Sequence, residues 1–169
     1  NASASAGYVV GIGGSIFVNS LENTVLAYVQ DANLNAKGAI EIIALSRDNI
    51  KLIVGLGAFS AGVGGAGGIE LTFIETITEA YLDGNINQDN DFKPGGVYAP
   101  DKGQTVLVLA DNKTNVDTIG AAMGAGLGVG VGAVIDFISI QNRTLAEVKA
   151  GSKIYARGDV TIKAISDKN

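Results

Sequence analysis

The sequence predicts an all-β chain folded as a right-handed parallel β-helix (a β-solenoid) built from three divergent modules. Three observations carry this. A module spanning residues 23–46, NTVLAYVQDANLNAKGAIEIIALS, returns at residues 142–166 as NRTLAEVKAGSKIYARGDVTIKAIS. Within both copies polar and apolar residues alternate, the two-residue period of a strand with one buried face. No stretch keeps a sustained helical period. A chain that reuses one unit is read as a repeat architecture, with each unit burying its apolar face against the next. An antiparallel sandwich of Gly-rich hairpins is the alternative fold.

The first module covers about residues 2–48. It opens on the Gly-rich Gly7-Tyr8-Val9-Val10-Gly11-Ile12-Gly13-Gly14 and runs through Ser15-Ile16-Phe17-Val18 into the repeated segment. There Leu34, Ala36, Ile40, Ile42 and Ala44 share one face, while Asn35, Lys37 and Glu41 share the other. Lys37-Gly38 and Arg157-Gly158 break the alternation at matching positions, as short turns do. The second module, about 49–112, has its own Gly-rich tract at residues 55–68. The strand Ile69-Glu70-Leu71-Thr72-Phe73-Ile74-Glu75 follows. A third, broken copy of the repeat runs from Thr78-Glu79-Ala80-Tyr81-Leu82 to Val106-x-Val108-x-Ala110. Between its halves lies residues 83–103, DGNINQDNDFKPGGVYAPDKG, which holds both prolines of the chain and reads as an exposed insertion. The third module, about 113–169, contains Gly124, Gly126, Gly128, Gly130 and Gly132 at every second position. One face of that strand is bare backbone and the other carries Leu127, Val129 and Val131. An empty face suits the close approach of another sheet or chain.

The expected arrangement is two or three rungs of short strands per module, with inward columns of Val, Ile, Leu and Ala. One long rung per module is the other arrangement the module length allows. Outward apolar residues (Ile43, Leu45, Leu107, Leu109 and Ile165) point to contact with another chain.

Composition narrows the chemistry. Of 169 residues 47% are apolar, enough for a core, and 24 are glycine. The absence of Cys and His removes disulfides, thiolate nucleophiles, Ser-His-Asp triads and imidazole metal sites. A net charge of -5 with no basic stripe makes nucleic acid an unexpected partner. Residues 51–70 and 117–136 each enclose close to the ~20 residues of a membrane helix. The strict glycine alternation speaks against helices there, so membrane contact is not expected within this segment.

The repeat signature N-x-[VT]-x-A-x-[VL], followed by x-A-x-G-x-[VI]-x-[VI]-x-A-x-S after a Gly-rich strand, resembles the repeats of large bacterial filamentous adhesins. These are the filamentous-haemagglutinin-like and leukotoxin-type surface proteins. The resemblance covers nearly all of the chain except residues 83–103. It implies a right-handed β-helix, secretion and display at the outer cell surface as a long fibre. It carries no catalytic motif and no enzymatic activity. The chain is then expected to be a piece of something longer, or to assemble with copies of itself.

Candidate sites lie mainly in the insertion. Asp83, Asn85, Asn87, Asp89 and Asp91 place oxygen ligands at alternate positions, a pattern suited to calcium. The match to a helix–loop–helix calcium motif fails, because Gln88 stands where glycine is needed and Pro94 where a bidentate Glu belongs. The alternative is a solvated Asn/Asp-rich turn. Phe92 and Tyr98 are the candidate contacts of the insertion with a surface receptor or glycan. Glu70, Glu75 and Asp136 are the acids that a glycan-cleaving pair would draw on; the simpler reading is solvent-facing charge. Asn112-Lys-Thr114 and Asn142-Arg-Thr144 are sequons, yet the recurrence of Asn23 at Asn142 favours ladder or turn asparagines.

Overall fold

A computed structural model describes residues 2–169, with side chains from residue 4 onward. Strands account for 76% of the chain, and no α-helix occurs among the described residues. The strands are β1 (Ala2–Gly7), β2 (Val10–Leu34), β3 (Ile40–Ser60), β4 (Val63–Ile86), β5 (Val106–Gly126), β6 (Val129–Val148), β7 (Lys153–Ile154) and β8 (Val160–Lys168). Two parallel sheets form. One has the order β1-β3-β5-β8, and the other runs β2-β4-β6 with β7 paired to β4. Long parallel strands in two parallel sheets are the ingredients of a parallel β-solenoid.

The ladders reproduce the repeat seen in the sequence. Val106, Val108, Ala110 and Asn112 pair with Val160, Ile162, Ala164 and Ser166. The Ile40 N–H donates to Thr105 C=O at 3.0 Å, setting Ile40 beside Val106. Residues 2–7 pair with residues 55–60 in the same parallel sense. Equivalent residues thus stack from one module to the next, which is why a column keeps its chemistry.

The expectation of two or three short rungs per module is not what forms. Strands β2 to β6 are 20 to 25 residues long, so each module supplies one long pass through each sheet. The physical reason is that mid-strand Asn, Ser and Asp residues, which resemble turn formers, are satisfied by one another in side-chain ladders. Asn23 Nδ2 donates to Ser46 Oγ at 3.1 Å and Asp48 Oδ1 at 2.9 Å. Asn142 Nδ2 donates to Asn112 Oδ1 and Thr114 Oγ1, both at 3.0 Å. Asn115 Nδ2 reaches Asn49 Oδ1 at 2.8 Å. With these partners the polar residues extend the strands instead of ending them.

Residues group into two compact units, each interleaved from all three modules. Unit 2 comprises Asn23–Asp48, Thr76–Thr114 and Asn142–Asn169. Its core is the aliphatic filling the alternation predicts: Ile40, Ile42, Ala44, Ala80, Leu82, Ile86, Val106, Val108 and Ala110 are buried. Val25, Ala27, Val29 and Leu34 pack against them. The bends at residues 35–39 and 155–159 match, as Lys37-Gly38 and Arg157-Gly158 foretell. A buried polar layer of Ser46, Thr76, Thr78, Asn112 and Thr114 lies in the same unit.

Unit 1 gathers the segment up to Glu22 with Asn49–Glu75 and Asn115–Gln141. Its buried cluster is small: Val54, Leu56, Ala58 and Ala66, with Phe17, Ala122 and Val134 against them. Towards the turns its interior holds glycine instead of side chains. A Cβ on Gly64 would lie 2.4 Å from Ala125 O, and one on Gly130 would lie 1.8 Å from Gly124 O. The backbones of facing segments touch directly, so the empty glycine face turns inward. The aliphatic residues that alternate with those glycines must then point out. Leu127, Val129 and Val131 are exposed, as are Ile12, Ile16 and Val18. Beside these turns the expectation of inward aliphatic columns is reversed, because the gap between the backbones leaves no room for a methyl group, whereas Val54, Leu56 and Ala58 on β3 keep it.

Candidate functional site

The insertion begins later than the composition suggests. Residues 83–86 complete strand β4, and the excursion runs from Asn87 to Thr105. Asn87 anchors it. This residue is fully buried and sits in the left-handed region at φ 54, which asparagine tolerates better than most residues. Its N–H donates to Leu34 C=O at 2.8 Å, and its Oδ1 accepts the Ala36 N–H at 2.8 Å. Its Nδ2 donates to Tyr155 C=O at 3.0 Å and to Gln104 Oε1 at 3.3 Å. Gln104 Nε2 in turn donates to Ala36 C=O at 3.1 Å. One side chain therefore ties the ends of β2 and β4 to the segment after β7, while Gln104 fastens the far end of the loop.

Between those anchors the loop folds back on the bends of unit 2. A 3-10 turn at Asn90–Phe92 is followed by Tyr98 N–H donating to Asp91 C=O at 2.8 Å. Asp101 N–H donates to Lys37 C=O at 2.9 Å, and Arg157 Nη1 donates to Pro100 C=O at 2.9 Å. The Phe92 and Tyr98 rings lie 5.7 Å apart, and Lys37 Nζ stands 5.3 Å from the Tyr98 ring centre, a cation–π geometry. The structure thus brings the two predicted contact residues together. Beside them Val97 is 76% exposed.

The five candidate calcium ligands are distributed among different partners. Asp83 and Asn85 lie on the outward face of β4. Asn85 Oδ1 accepts the Lys153 N–H at 3.0 Å, and Asn85 Nδ2 donates to Asn33 Oδ1 at 2.9 Å. Asn87 points the other way into the interior, its Oδ1 taken by Ala36. The Asp89 carboxylate accepts from Asn35 Nδ2, and Asp91 sits in the 3-10 turn. Among the described residues no group of three or more His, Cys, Asp or Glu converges as metal ligands do.

Asp83 and Asn85 do line a shallow polar depression of about 460 Å³ with Asp31, Asn33, Gly151 and Ser152. Ser152 Oγ bridges Gly84 N–H and Leu82 C=O, each at 3.2 Å. Nearby, Lys149 pairs with Glu147, and its Nζ stands 5.3 Å from the Tyr81 ring centre. Glu147 first, then Tyr81 and Asp83, hold the Lys149 ammonium above its ordinary pKa. Tyr81 stacks on Tyr28, the equivalent residue of the first module, with centroids 5.1 Å apart and planes 10° from parallel. These are the side-chain ladders of stacked repeats.

The remaining acids separate. Glu70 is buried at 2% exposure, with Asn19 Nδ2 donating to its Oε1 at 2.7 Å and no hydrogen-bond partner for Oε2. It faces inward and is not the solvent-facing charge of the simpler reading. Glu75, five residues along the same strand, lies on the opposite face by alternation and is exposed. Asp136 on β6 is exposed, and its Oδ2 would lie 3.3 Å from a Cβ added at Gly120. Glu70 and Glu75 therefore cannot act on one substrate from one side of the sheet.

Asn87 and Gln104 are the residues sequence reading missed as a pair. Their signal was weak, since one lay in an apparent metal pattern and the other just past the end of the insertion. Comparison with models of known protein families, with curated proteins and with solved structures gives no match.

Proposed function

We propose that this chain is a structural element, a β-solenoid segment of a secreted bacterial surface adhesin or extracellular fibre that serves as rigid stalk or self-assembling filament unit. One observation carries the reading: equivalent residues of successive modules are hydrogen-bonded neighbours, as in Val106–Val160 through Thr114–Lys168. An arrangement in which each module templates the next extends by addition of modules, and stiffness follows from the uninterrupted ladder. The strands at the sheet edges, β1 and β8 in one sheet and β2 and β6 in the other, offer the same ladder to a further module or a second copy. Adhesin membership rests on the repeat signature and on this stacking together. The hydrogen bonds that anchor the insertion through Asn87, Asp101 and Gln104 support a structural role for it as well.

Electron microscopy of the purified chain across a concentration series tests the proposal. The expected result is rods or fibres that lengthen with concentration at constant width. Monodisperse globular particles at every concentration would sink it.

A further inference from the structure

The turns of unit 1 form an apolar end whose outer faces carry no charge, and we infer that this end inserts into the hydrocarbon of a neutral lipid bilayer. The turns themselves are unusual. Tyr8 and Val9 connect β1 to β2, Ala61 and Gly62 connect β3 to β4, and Leu127 and Gly128 connect β5 to β6. Tyr8 is 91% and Leu127 90% exposed. Turns in water favour Gly, Pro, Asn, Asp and Ser; these have glycine at residues 62 and 128 and none of the other four. They stack in register, with Ala61 N–H donating to Tyr8 C=O at 3.1 Å and Gly128 N–H to Gly62 C=O at 3.0 Å.

The apolar character continues along both outer faces. On the β2-β4-β6 sheet, Ile12, Ile16, Val18, Ile69, Phe73 and Ile135 are exposed. On the other sheet Ile53, Phe59, Ile119 and Met123 are exposed. Next to the turns the inside is bare backbone at Gly64, Gly124 and Gly130, farther along β3 it is Val54, Leu56 and Ala58, and the outer faces carry aliphatic side chains over both stretches. A second copy docking on one face would leave the other face and the turns in water. A lipid phase covers all three at once, and this decides between the two occupants.

Depth and charge agree with that choice. Moving away from the turns, the first outward charges are Lys51 on β3, Asp117 on β5, Glu22 on β2 and Glu75 on β4, while the buried Glu70 and the exposed Asp136 each follow a turn by eight residues. Residues 52–60 and 118–126 each separate a turn from such a charge by nine residues, and residues 10–21 and 63–74 by twelve. At ~3.3 Å per residue these spans are ~30 and ~40 Å, enough to reach through the hydrocarbon of a bilayer. Three of the four boundary charges are acidic, which disfavours an anionic surface and favours zwitterionic headgroups. Hydrocarbon also requires that backbone groups be paired. Strands β3 and β4 have neighbours on both sides, whereas β1, β2, β6 and residues 115–126 of β5 are edges in unit 1. Insertion is therefore cooperative, strengthening as copies stack edge to edge.

The chain has no tryptophan, so Tyr8→Trp supplies a single reporter on the most exposed turn. The expected result is that phosphatidylcholine vesicles shift its emission to the blue and carry the chain upward in a flotation gradient, with a bound fraction that rises more than linearly with protein. Adding phosphatidylglycerol should weaken binding. Leu127→Asp, at an exposed position, should lower partition by roughly 30-fold or more, the cost of one carboxylate in hydrocarbon. Val97→Asp in the insertion should leave it unchanged, and urea midpoints identify any variant that fails to fold. Emission and flotation unaffected by vesicles would overturn the inference. So would a blue shift that appears without lipid alongside oligomers in sedimentation, because a second copy would then cover the turns.

Discussion

At the scale of single residues, Asn87 shows how one polar side chain fixes a fold. A buried amide costs little when all its groups are paired and much when its partners lose it. Removing the side chain strands the Ala36 N–H and the Gln104 amide in the interior and leaves Ala at a left-handed backbone position. Asn87→Ala should lower unfolding free energy by roughly 3 kcal/mol, measured as a urea midpoint with unchanged slope. A loss below ~1 kcal/mol would mean that water replaces the amide. The identity of this residue was visible in the sequence, but its role was not. Asp83, Asn85, Asn87, Asp89 and Asp91 look alike as an alternating row. Alternation sends residues 83 and 85 outward along β4, and the strand ends just before Asn87 turns inward. Where a strand stops depends on what its neighbours offer.

At the scale of elements, glycine sets how closely facing backbones approach. Gly130→Ala would place a methyl carbon 1.8 Å from Gly124 O, a backbone atom that cannot rotate away. Relief requires the segments to separate, and overpacking of this kind costs about 1–3 kcal/mol. Gly65 alternates with Gly64 on the same strand but faces outward, and a Cβ there meets nothing within 4 Å. Gly65→Ala should be neutral or stabilising by up to about 1 kcal/mol through the unfolded chain. Thermal melts of the two variants check the pair. Equal effects would show that the Gly-rich interior is looser than the structure has it. The alternation of glycine was plain in the sequence and correctly implied close approach. Which face met the neighbour was open, because a two-residue period defines two faces and labels neither.

At the scale of the whole molecule, stability should follow position in the sheets. Strand β4 has β2 on one side and β6 on the other; β3 lies between β1 and β5. In hydrogen exchange at low protein concentration, β4 should be protected longer than β2 and β6, and β3 longer than β1, since edge amides open at lower cost. Uniform protection across each sheet would contradict this, and so would an edge strand outlasting its centre. If copies stack edge to edge as proposed, the edge strands should gain protection selectively.

The repeat, the strand class and the column that stacks Ile40, Val106 and Val160 were determined by the sequence alone. Periodicity and recurrence are local properties, and an L-peptide backbone translates a two-residue period directly into alternating sides. Tertiary structure decided the rest: one long pass per module, the inward turn of glycine beside the turns of unit 1, and the anchoring of the insertion by Asn87. Each of these depends on the distance between surfaces that are far apart in the chain. That distance is set by whatever side chains, or missing side chains, meet across it.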